Sequence, residues 1–313
     1  MTKKQPKWRR LLSFLPFVTD DKPLVTVLEL SGVIGMGGIN SRSLSFAKVE
    51  KQIAAAFKPS NLTAVALSIN SPGGSPVQSH LIMRAIRRQA KKTEKPVLAF
   101  IEDAGASGGY MLACAGDEIF ADESSIVGSI GVISSGFGFV GAIERLGIER
   151  RVYTAGKSKS QLDPFRPSNE DDLARLTEIL GTTHEHFIGI VKERRGNSLN
   201  LAFDDIFTGA FWTAGPAKER GLIDDIARLD ELLETRFGED VIVQKISSRE
   251  SPLKRLLGSF VPGLIRKSND PRKDDRTNSD VSDLISSQGL GTEMVHGLMN
   301  ELEERSFWAR IGL

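Results

Sequence analysis

Residues 97–110 have the sequence VLAFIEDAGASGGY, an apolar run that leads into a glycine-rich turn around Ser107. The run has the length and composition of a buried strand, and a segment with helical composition follows the turn. The same order of strand, glycine-rich turn and helix occurs upstream in TAVALSINSPGGSP at residues 63–76. Two such units in succession predict an α/β fold with a largely parallel, buried sheet.

The alternation of strands and helices extends to both sides of these turns. A strand, LVTVLEL, begins at residue 24, and short apolar runs such as EIFA and SIVGSIGVI follow residue 110. In the last predicted helix, Leu173, Ile179 and Phe187 keep a period of about 3.6 residues, so we expect one face of this helix to pack and the other to meet solvent. The predicted helices lie within residues 44–57, 76–92, 140–146 and 169–195.

Charge and composition divide the chain into five segments. The whole chain has a net charge of +1, but residues 1–22 hold six Lys or Arg against two Asp, and residues 248–267 hold five against one Glu. We expect a compact domain between two basic, amphipathic segments, then a polar linker that is predicted to be disordered, and finally a short helix. The expected bounds are residues 1–23, 24–246, 247–267, 268–290 and 291–313, in that order.

Both basic segments have the pattern of amphipathic helices at a membrane interface. WRRLLSFLPFV at residues 8–18 and LKRLLGSFVPGLI at residues 253–265 share a basic pair, two leucines, a phenylalanine and a proline. The apolar run at residues 11–18 is shorter than the roughly 20 residues of a transmembrane helix, and TDDK follows it instead of a signal-peptide cleavage site. We expect both segments to contact an anionic membrane peripherally from its cytoplasmic side, and a flexible basic tail is the alternative.

Composition argues against several other functions. The single cysteine, Cys114, excludes an internal disulfide, and its place in YMLACAG predicts a buried core residue. The sequence contains neither CxxC pairs nor Cys/His clusters, so no metal is expected. The glycine-rich turns match neither the P-loop nor the dinucleotide-binding pattern. We expect no cofactor and no nucleic-acid partner.

Ser107 lies in GASGG, which fits the G-x-S-x-G pattern of serine nucleophiles. A Ser-His-Asp triad is poorly supplied, because the histidines after Ser107 fall in the predicted long helix or near the end of the chain. A lysine can act as the base if burial keeps its amine neutral, since an ordinary pKa of about 10.4 leaves roughly one lysine in two thousand neutral at pH 7. GKSKSQLDPF offers Lys157 and Lys159, and the residues alone leave both open.

Three separated motifs carry a resemblance to a known family. INSPGGS, ASGGYMLACAGDEIFA with VGSIGV after it, and YTAGKSKSQLDPFRP resemble the signal peptide peptidase A family of Ser/Lys proteases, which includes the protease IV and SohB types. The likeness covers residues 24–246 and ends with AGPAKERGLIDDI, which is similar to an element of the Clp protease and crotonase superfamily. It implies an α/β, Clp protease/crotonase-like core of repeated ββα units in a superhelix, with one long helix.

The resemblance also implies roles for individual residues. Ser107 would be the nucleophile and Lys159 its general base, which makes Lys157 a bystander. Ser129 of VGSIGV would hold the lysine amine, and the backbone N–H groups of Gly74 and Gly108 would form the oxyanion hole. The implied activity is the hydrolysis of hydrophobic peptides, such as signal peptide remnants, through an acyl-enzyme.

In this family the serine and the lysine of one site come from neighbouring copies of the domain. This chain contains one copy, so the resemblance implies a homo-oligomeric ring, an octamer, in which the neighbouring subunit completes the dyad. The sequence leaves two alternatives. One is a crotonase-like acyl-CoA enzyme, which shares the fold and the oxyanion hole, and the other is a catalytically inactive, membrane-associated scaffold ring.

Overall fold

The computed structural model describes residues 22–35, 43–246 and Trp308. The predicted segments at residues 8–18, 253–265 and 268–290 lie outside the described residues, and so does the predicted C-terminal helix apart from Trp308. Among the described residues, no helix combines the length and the apolar character needed to cross a membrane. The elements are β1 (Leu24–Ser31), α1 (Phe46–Ala56), β2 (Leu62–Ser71), α2 (Pro76–Thr93), β3 (Val97–Ala106), α3 (Gly108–Ala113), β4 (Glu118–Ala121), β5 (Ile126–Gly128), α4 (Val140–Arg145), α5 (Glu170–Arg195), a 3₁₀ turn (Gly196–Ser198), β6 (Phe211–Trp212), α6 (Ala214–Glu219), β7 (Asp225–Ile226), α7 (Leu229–Phe237) and β8 (Ile242–Ile246).

The strands of the described part form one eight-stranded sheet. Its spatial order is β6-β5-β3-β2-β1-β8, and β4 pairs with both β3 and β7. Every pair is parallel except β5 with β6. Parallel neighbours need crossover connections, which α1 and α2 supply between the first three strands. The predicted α/β fold with a largely parallel sheet is confirmed, whereas the superhelical repeat of ββα units stays a prediction.

Both faces of the sheet are buried, which explains why its strands are apolar along their whole length. In β2, Leu67 and Ile69 join the larger core, to which α1, α2 and α3 contribute. Ala64 and Ala66 join the smaller core, which includes Leu233 of α7. Ile69 is completely inaccessible to solvent, and burial of such a side chain contributes about 1.5–3 kcal/mol.

Two helices begin where the sequence supplies a cap. At α2 the Ser75 hydroxyl accepts the N–H of Gln78 at 3.4 Å, and Pro76 occupies the first helical position. At α5 the Asn169 side chain accepts the N–H of Asp171 at 2.8 Å. Acidic residues fill the first turn of α5 and basic residues the last, which suits the helix dipole. The predicted bounds of both helices are confirmed to within one residue.

A buried ion pair ties the end of α5 to the core. Arg195 is 6% exposed and donates two hydrogen bonds to the Asp224 carboxylate, at 2.9 and 3.0 Å. Its Nε donates to the Gly221 carbonyl at 2.9 Å. Asp224 also accepts the N–H of Ile119 in β4 at 2.7 Å. These bonds fix the last turn of α5 against β4 and against the segment that follows α6.

The prediction that α5 packs one apolar face is wrong for its N-terminal half. Leu173 and Ile179 are 45% and 56% exposed, whereas Phe187 is buried. No residue between 131 and 186 is buried, and we call residues 131–186 the arm. A helical period shows that one face is apolar, but it does not show which surface covers that face. No described part of this chain buries the arm.

Candidate active site

The two glycine-rich turns lie side by side at one edge of the sheet. The parallel strands β2 and β3 are neighbours, and Ser71 pairs with Gly105 near their carboxyl ends. A Cβ added at Gly73 would lie 2.7 Å from the Cβ of Ser107, so no side chain fits between the turns. Ligands of α/β proteins bind at this edge of the sheet. The fold therefore brings INSPGGS and GASGG together at a position that suits a site.

Ser107 has a backbone conformation that is uncommon for a residue with a side chain. Its φ is 53° and its ψ is −122°, in a region that is costly for residues other than glycine. Its N–H donates to the carbonyl of Gly128 in β5 at 2.8 Å, and its carbonyl accepts the N–H of Met111 in α3 at 3.1 Å. The two neighbouring elements thus impose the conformation. Backbone strain of this kind is concentrated at functional sites.

Two backbone N–H groups beside this turn have no acceptor among the described residues. They belong to Gly74, which precedes α2, and to Gly108, the first residue of α3. A Cβ built on Gly108 would lie 3.4 Å from the Gly74 nitrogen, so both groups border one small space. Ile34 fixes the first turn, because its N–H donates to the Gly73 carbonyl at 2.8 Å and its carbonyl accepts the Ser75 N–H at 2.6 Å. An oxyanion hole requires fixed donors in this arrangement.

Ser129 follows β5 directly and lies beside the Ser107 turn. β5 pairs with the end of β3, where Gly128 is opposite Ala106. Ser129 has a φ of 52°, and its N–H donates to the Ala210 carbonyl at 2.7 Å. Within the described part of the chain its hydroxyl has no hydrogen-bond partner. The hydroxyl is therefore available to a group that enters the site.

Both candidate lysines lie in the arm, and their side chains are exposed. The backbone N–H of Lys159 donates to the Gly156 carbonyl at 3.2 Å. The Nζ atoms of Lys157 and Lys159 form no hydrogen bond or ion pair with any residue that the structure describes. In the single chain the two glycine-rich turns and Ser129 come together, and neither lysine is hydrogen-bonded to Ser107.

Asp163, in the same loop as the lysines, is a functional candidate that the sequence analysis missed. Its side chain is 4% exposed and pairs with Arg150 at 3.2 Å. It also accepts the N–H of Phe165 at 3.1 Å and the hydroxyl of Ser160 at 3.4 Å. The Phe165 N–H, followed by Arg150 and Ser160, holds the pKa of Asp163 below its usual value. These contacts fix the turn that carries Lys159, and the one sequence signal for them is the Asp-Pro pair, which is typical of turns.

The histidines of α5 do not form a triad with the serine. His184 Nε2 lies 3.0 Å from the Ile130 carbonyl oxygen, so it fixes the chain just after β5. His186 is exposed, and its ring contacts that of His80 edge to face, with centroids 4.7 Å apart. Neither is hydrogen-bonded to Ser107 in the structure. Among residues 22–35 and 43–246, no group of three or more His, Cys, Asp or Glu side chains is arranged to hold a metal.

The residues of this site fall in a region that matches a known family. Residues 89–238 match the model of peptidase family S49. This part of the chain belongs to peptidase family S49. It contains Ser107, Ser129 and Lys159, whereas Gly74 lies just before it. The resemblance to signal peptide peptidase A that the motifs carried is thereby confirmed.

Three relatives show how much of the chain is shared. A protein of Brucella abortus (strain 2308) named Na(+)/H(+) antiporter NhaA is 42% identical over 92% of this chain and 37% of its own length. Putative protease MJ0651 of Methanocaldococcus jannaschii is 35% identical over 56% of each chain. Putative signal peptide peptidase SppA of Enterococcus faecium is 31% identical over 55% of this chain and 49% of its own. This S49 chain thus spans about a third to a half of these relatives, and most of the antiporter has no counterpart in it.

A solved structure shows a looser likeness. The 1510-N membrane-bound stomatin-specific protease, in complex with a substrate peptide, aligns with 76% of this chain and 98% of its own, at a TM-score of 0.45 and 16% sequence identity. A likeness at this score carries no argument about the S49 site.

Proposed function

We propose that this protein is a serine endopeptidase in which Ser107 attacks the peptide bond and Lys159 is the general base. The observation that carries the proposal is the position of Ser107 beside the unpaired N–H groups of Gly74 and Gly108. A nucleophile next to two fixed donors suits acyl transfer, because the donors stabilise the negative charge that develops on the carbonyl oxygen. Membership of a peptidase family supports the same activity.

The proposed reaction has two halves. The neutral amine of Lys159 takes the hydroxyl proton of Ser107 while Oγ bonds to the substrate carbonyl carbon. The resulting oxyanion accepts hydrogen bonds from Gly74 and Gly108, and the lysine ammonium then gives its proton to the leaving amine as the C–N bond breaks. Water next loses a proton to Lys159, attacks the acyl ester and releases the carboxylic acid product. The Ser129 hydroxyl accepts a hydrogen bond from the lysine and orients it.

In this proposal Lys159 comes from a neighbouring copy of the chain. Its side chain is exposed in the single chain, whereas a lysine needs burial to remain neutral and act as a base. The arm that carries it leaves Phe137 81%, Leu146 72% and Tyr153 91% exposed. Large exposed apolar surfaces of this kind mark protein interfaces. A copy that covers the arm would bury Lys159 beside its own Ser107, and repetition of the contact would close a ring. The resemblance to the family favours an octamer.

The proposed substrates are hydrophobic peptides, such as signal peptide remnants. Apolar atoms border the site, since the Cδ1 of Ile34 lies 3.3 Å from the position of a Cβ on Gly108. The name of the Enterococcus relative refers to the same class of substrate.

Peripheral attachment to the cytoplasmic face of a membrane completes the proposal. Its support is the pair of basic, amphipathic segments predicted at residues 8–18 and 253–265. The Brucella relative, named as an ion antiporter, adds a second line of support, because antiport takes place across a membrane.

Hydrolysis of a leucine-rich fluorogenic peptide tests the activity. The wild type, Ser107→Ala, Lys159→Ala and the matched control Lys157→Ala are compared at equal oligomeric state. We expect turnover by the wild type and the control, and a loss of roughly a thousandfold or more in the other two. Loss in Lys157→Ala instead would reassign the base. A wild type without turnover between about pH 7 and 10 would favour the scaffold ring, and acyl-CoA turnover that is independent of Ser107 would favour a crotonase-like enzyme.

A further inference from the structure

The exposed face of α2 carries a stripe of basic and apolar side chains that takes no part in the proposed chemistry. The helix contains no Asp or Glu. Side chains that recur every three or four residues share one helical face, and the first residue beyond the C-cap extends this face. We call the following six residues the α2 stripe: Val77, Leu81, Arg84, Arg88, Lys91 and Lys95.

The basic charge of the α2 stripe is not neutralised by ion pairs. Val77 and Leu81 are 63% and 42% exposed, and Arg84, Arg88 and Lys91 are exposed as well. None of the basic members of the stripe forms an ion pair with another described residue. Arg87, on the flank of the helix, differs because it pairs with Asp117 at 2.7 Å. The α2 stripe is therefore available to an external anion.

A cleft of about 1380 Å³ lies alongside the stripe, between α2 and α5. Apolar side chains of Phe46, Met83 and Ile190 are part of its lining. At its rim Arg194 shares the Asp117 carboxylate with the neighbouring arginine of α2, at 3.4 Å. The surface thus combines an apolar lining with a basic border, which is the chemistry of a site for an anionic amphiphile.

We propose that the α2 stripe binds the surface of a bilayer that contains anionic phospholipid. The arginines and lysines contact the phosphate headgroups, and Val77 and Leu81 reach toward the acyl chains at the N-terminal end of the stripe. This pairing of apolar and basic side chains favours a lipid surface over a nucleic acid, whose phosphate backbone offers no apolar partner to these two residues.

The position of the stripe links membrane binding to the site. Val77 follows Gly74 by three positions, so a bilayer bound to this face lies next to the glycine-rich turns. Peptides that partition into the membrane would then meet Ser107 close to the place where they reside. This consequence rests on the proposed function, whereas lipid binding itself does not.

Sedimentation of the full chain with vesicles tests the proposal. The vesicles contain either phosphatidylcholine alone or phosphatidylcholine with phosphatidylglycerol. We expect the wild type to bind the anionic vesicles, more weakly as salt rises, and not to bind the neutral ones. Arg88→Glu/Lys91→Glu is expected to weaken binding by about tenfold or more. Val77→Ser/Leu81→Ser is expected to weaken binding without changing its dependence on salt.

The matched control is Lys51→Glu/Lys58→Glu, which makes the same change of charge at exposed positions in and just after α1. We expect this control to bind like the wild type, and thermal unfolding verifies that each variant folds. Wild-type binding by Arg88→Glu/Lys91→Glu would assign membrane attachment to the terminal basic segments and overturn the proposal. Equal weakening in the control, or a wild type that ignores anionic vesicles, would also overturn it. Peptide hydrolysis by the same proteins reports the proposed function separately.

Discussion

Gly74 occupies a space that excludes every side chain. Its φ is +139°, and a Cβ there would lie 1.9 Å from the Ile34 carbonyl oxygen. Gly74→Ala is expected to displace the N–H that we assign to the oxyanion hole. Loss of one such donor costs about 3 kcal/mol, or roughly a hundredfold to a thousandfold in kcat. Steady-state hydrolysis of the fluorogenic peptide measures the effect.

The control for this substitution is Gly215→Ala, because no heavy atom lies within 4 Å of a Cβ at that position. Its kcat is expected to stay within about twofold of the wild type, as for most substitutions that alter no contact. A folded Gly74→Ala variant with wild-type kcat would contradict the assigned role of this N–H group.

Cys114 is buried at the end of α3, and this burial raises the pKa of its thiol to about 12, although Arg195 and Arg194 act in the opposite direction. The reactive thiolate is therefore scarce at ordinary pH. We expect no reaction of the native protein with a chromogenic disulfide reagent at about pH 8, and labelling of one thiol per chain after unfolding. Rapid labelling under native conditions would mean that α3 opens from the core.

At the scale of residues, the sequence predicts identities better than conformations. Glycine-rich turns after apolar strands indicate Gly74, Ser107 and Gly108, and the burial of Cys114 was predicted and is confirmed. The approach of the two turns follows from the pairing of β2 with β3, which no local pattern reports. The role of Asp163 was missed for the same kind of reason, because its partner Arg150 lies in a different part of the arm.

At the scale of elements, the ion pair of Arg195 with Asp224 fixes α5 to the core. Asp224→Ala would leave Arg195 buried without its partner carboxylate. Breaking a buried pair in this way costs about 3–5 kcal/mol, and chemical denaturation with urea measures the loss of unfolding free energy. The control is Arg228→Ala, which removes an exposed pair with Asp230 at 3.1 Å and is expected to cost at most about 1 kcal/mol. Similar losses in the two variants would contradict this account.

The elements themselves were largely predictable, but their packing was not. Ser75 with Pro76 and Asn169 with the acidic residues after it are start signals for α2 and α5, and both helices begin there. The apolar period of α5 correctly predicts a helix. It does not predict that Leu173 and Ile179 remain exposed, because periodicity carries no information on which molecule covers a face.

At the scale of the whole molecule, a buried sheet domain carries one half of the proposed dyad and the exposed arm carries the other. The parallel sheet was predictable from alternating apolar runs, and the structure confirms it. The meeting of Ser107 with Lys159 depends on contacts between copies, which a single sequence does not encode in any local pattern. The exposed apolar side chains of the arm are the structural sign of such contacts.

Mixing subunits that lack different halves of the dyad tests this central claim most directly. Ser107→Ala and Lys159→Ala are each expected to be inactive alone, whereas mixed oligomers contain sites that combine an intact serine with an intact lysine of the neighbour. In an equal mixture half of the sites keep the serine and half of these meet an intact lysine, so we predict about a quarter of wild-type peptide turnover. Mixed oligomers that stay inactive, when wild-type subunits treated in the same way recover full turnover, would contradict a dyad shared between neighbouring subunits.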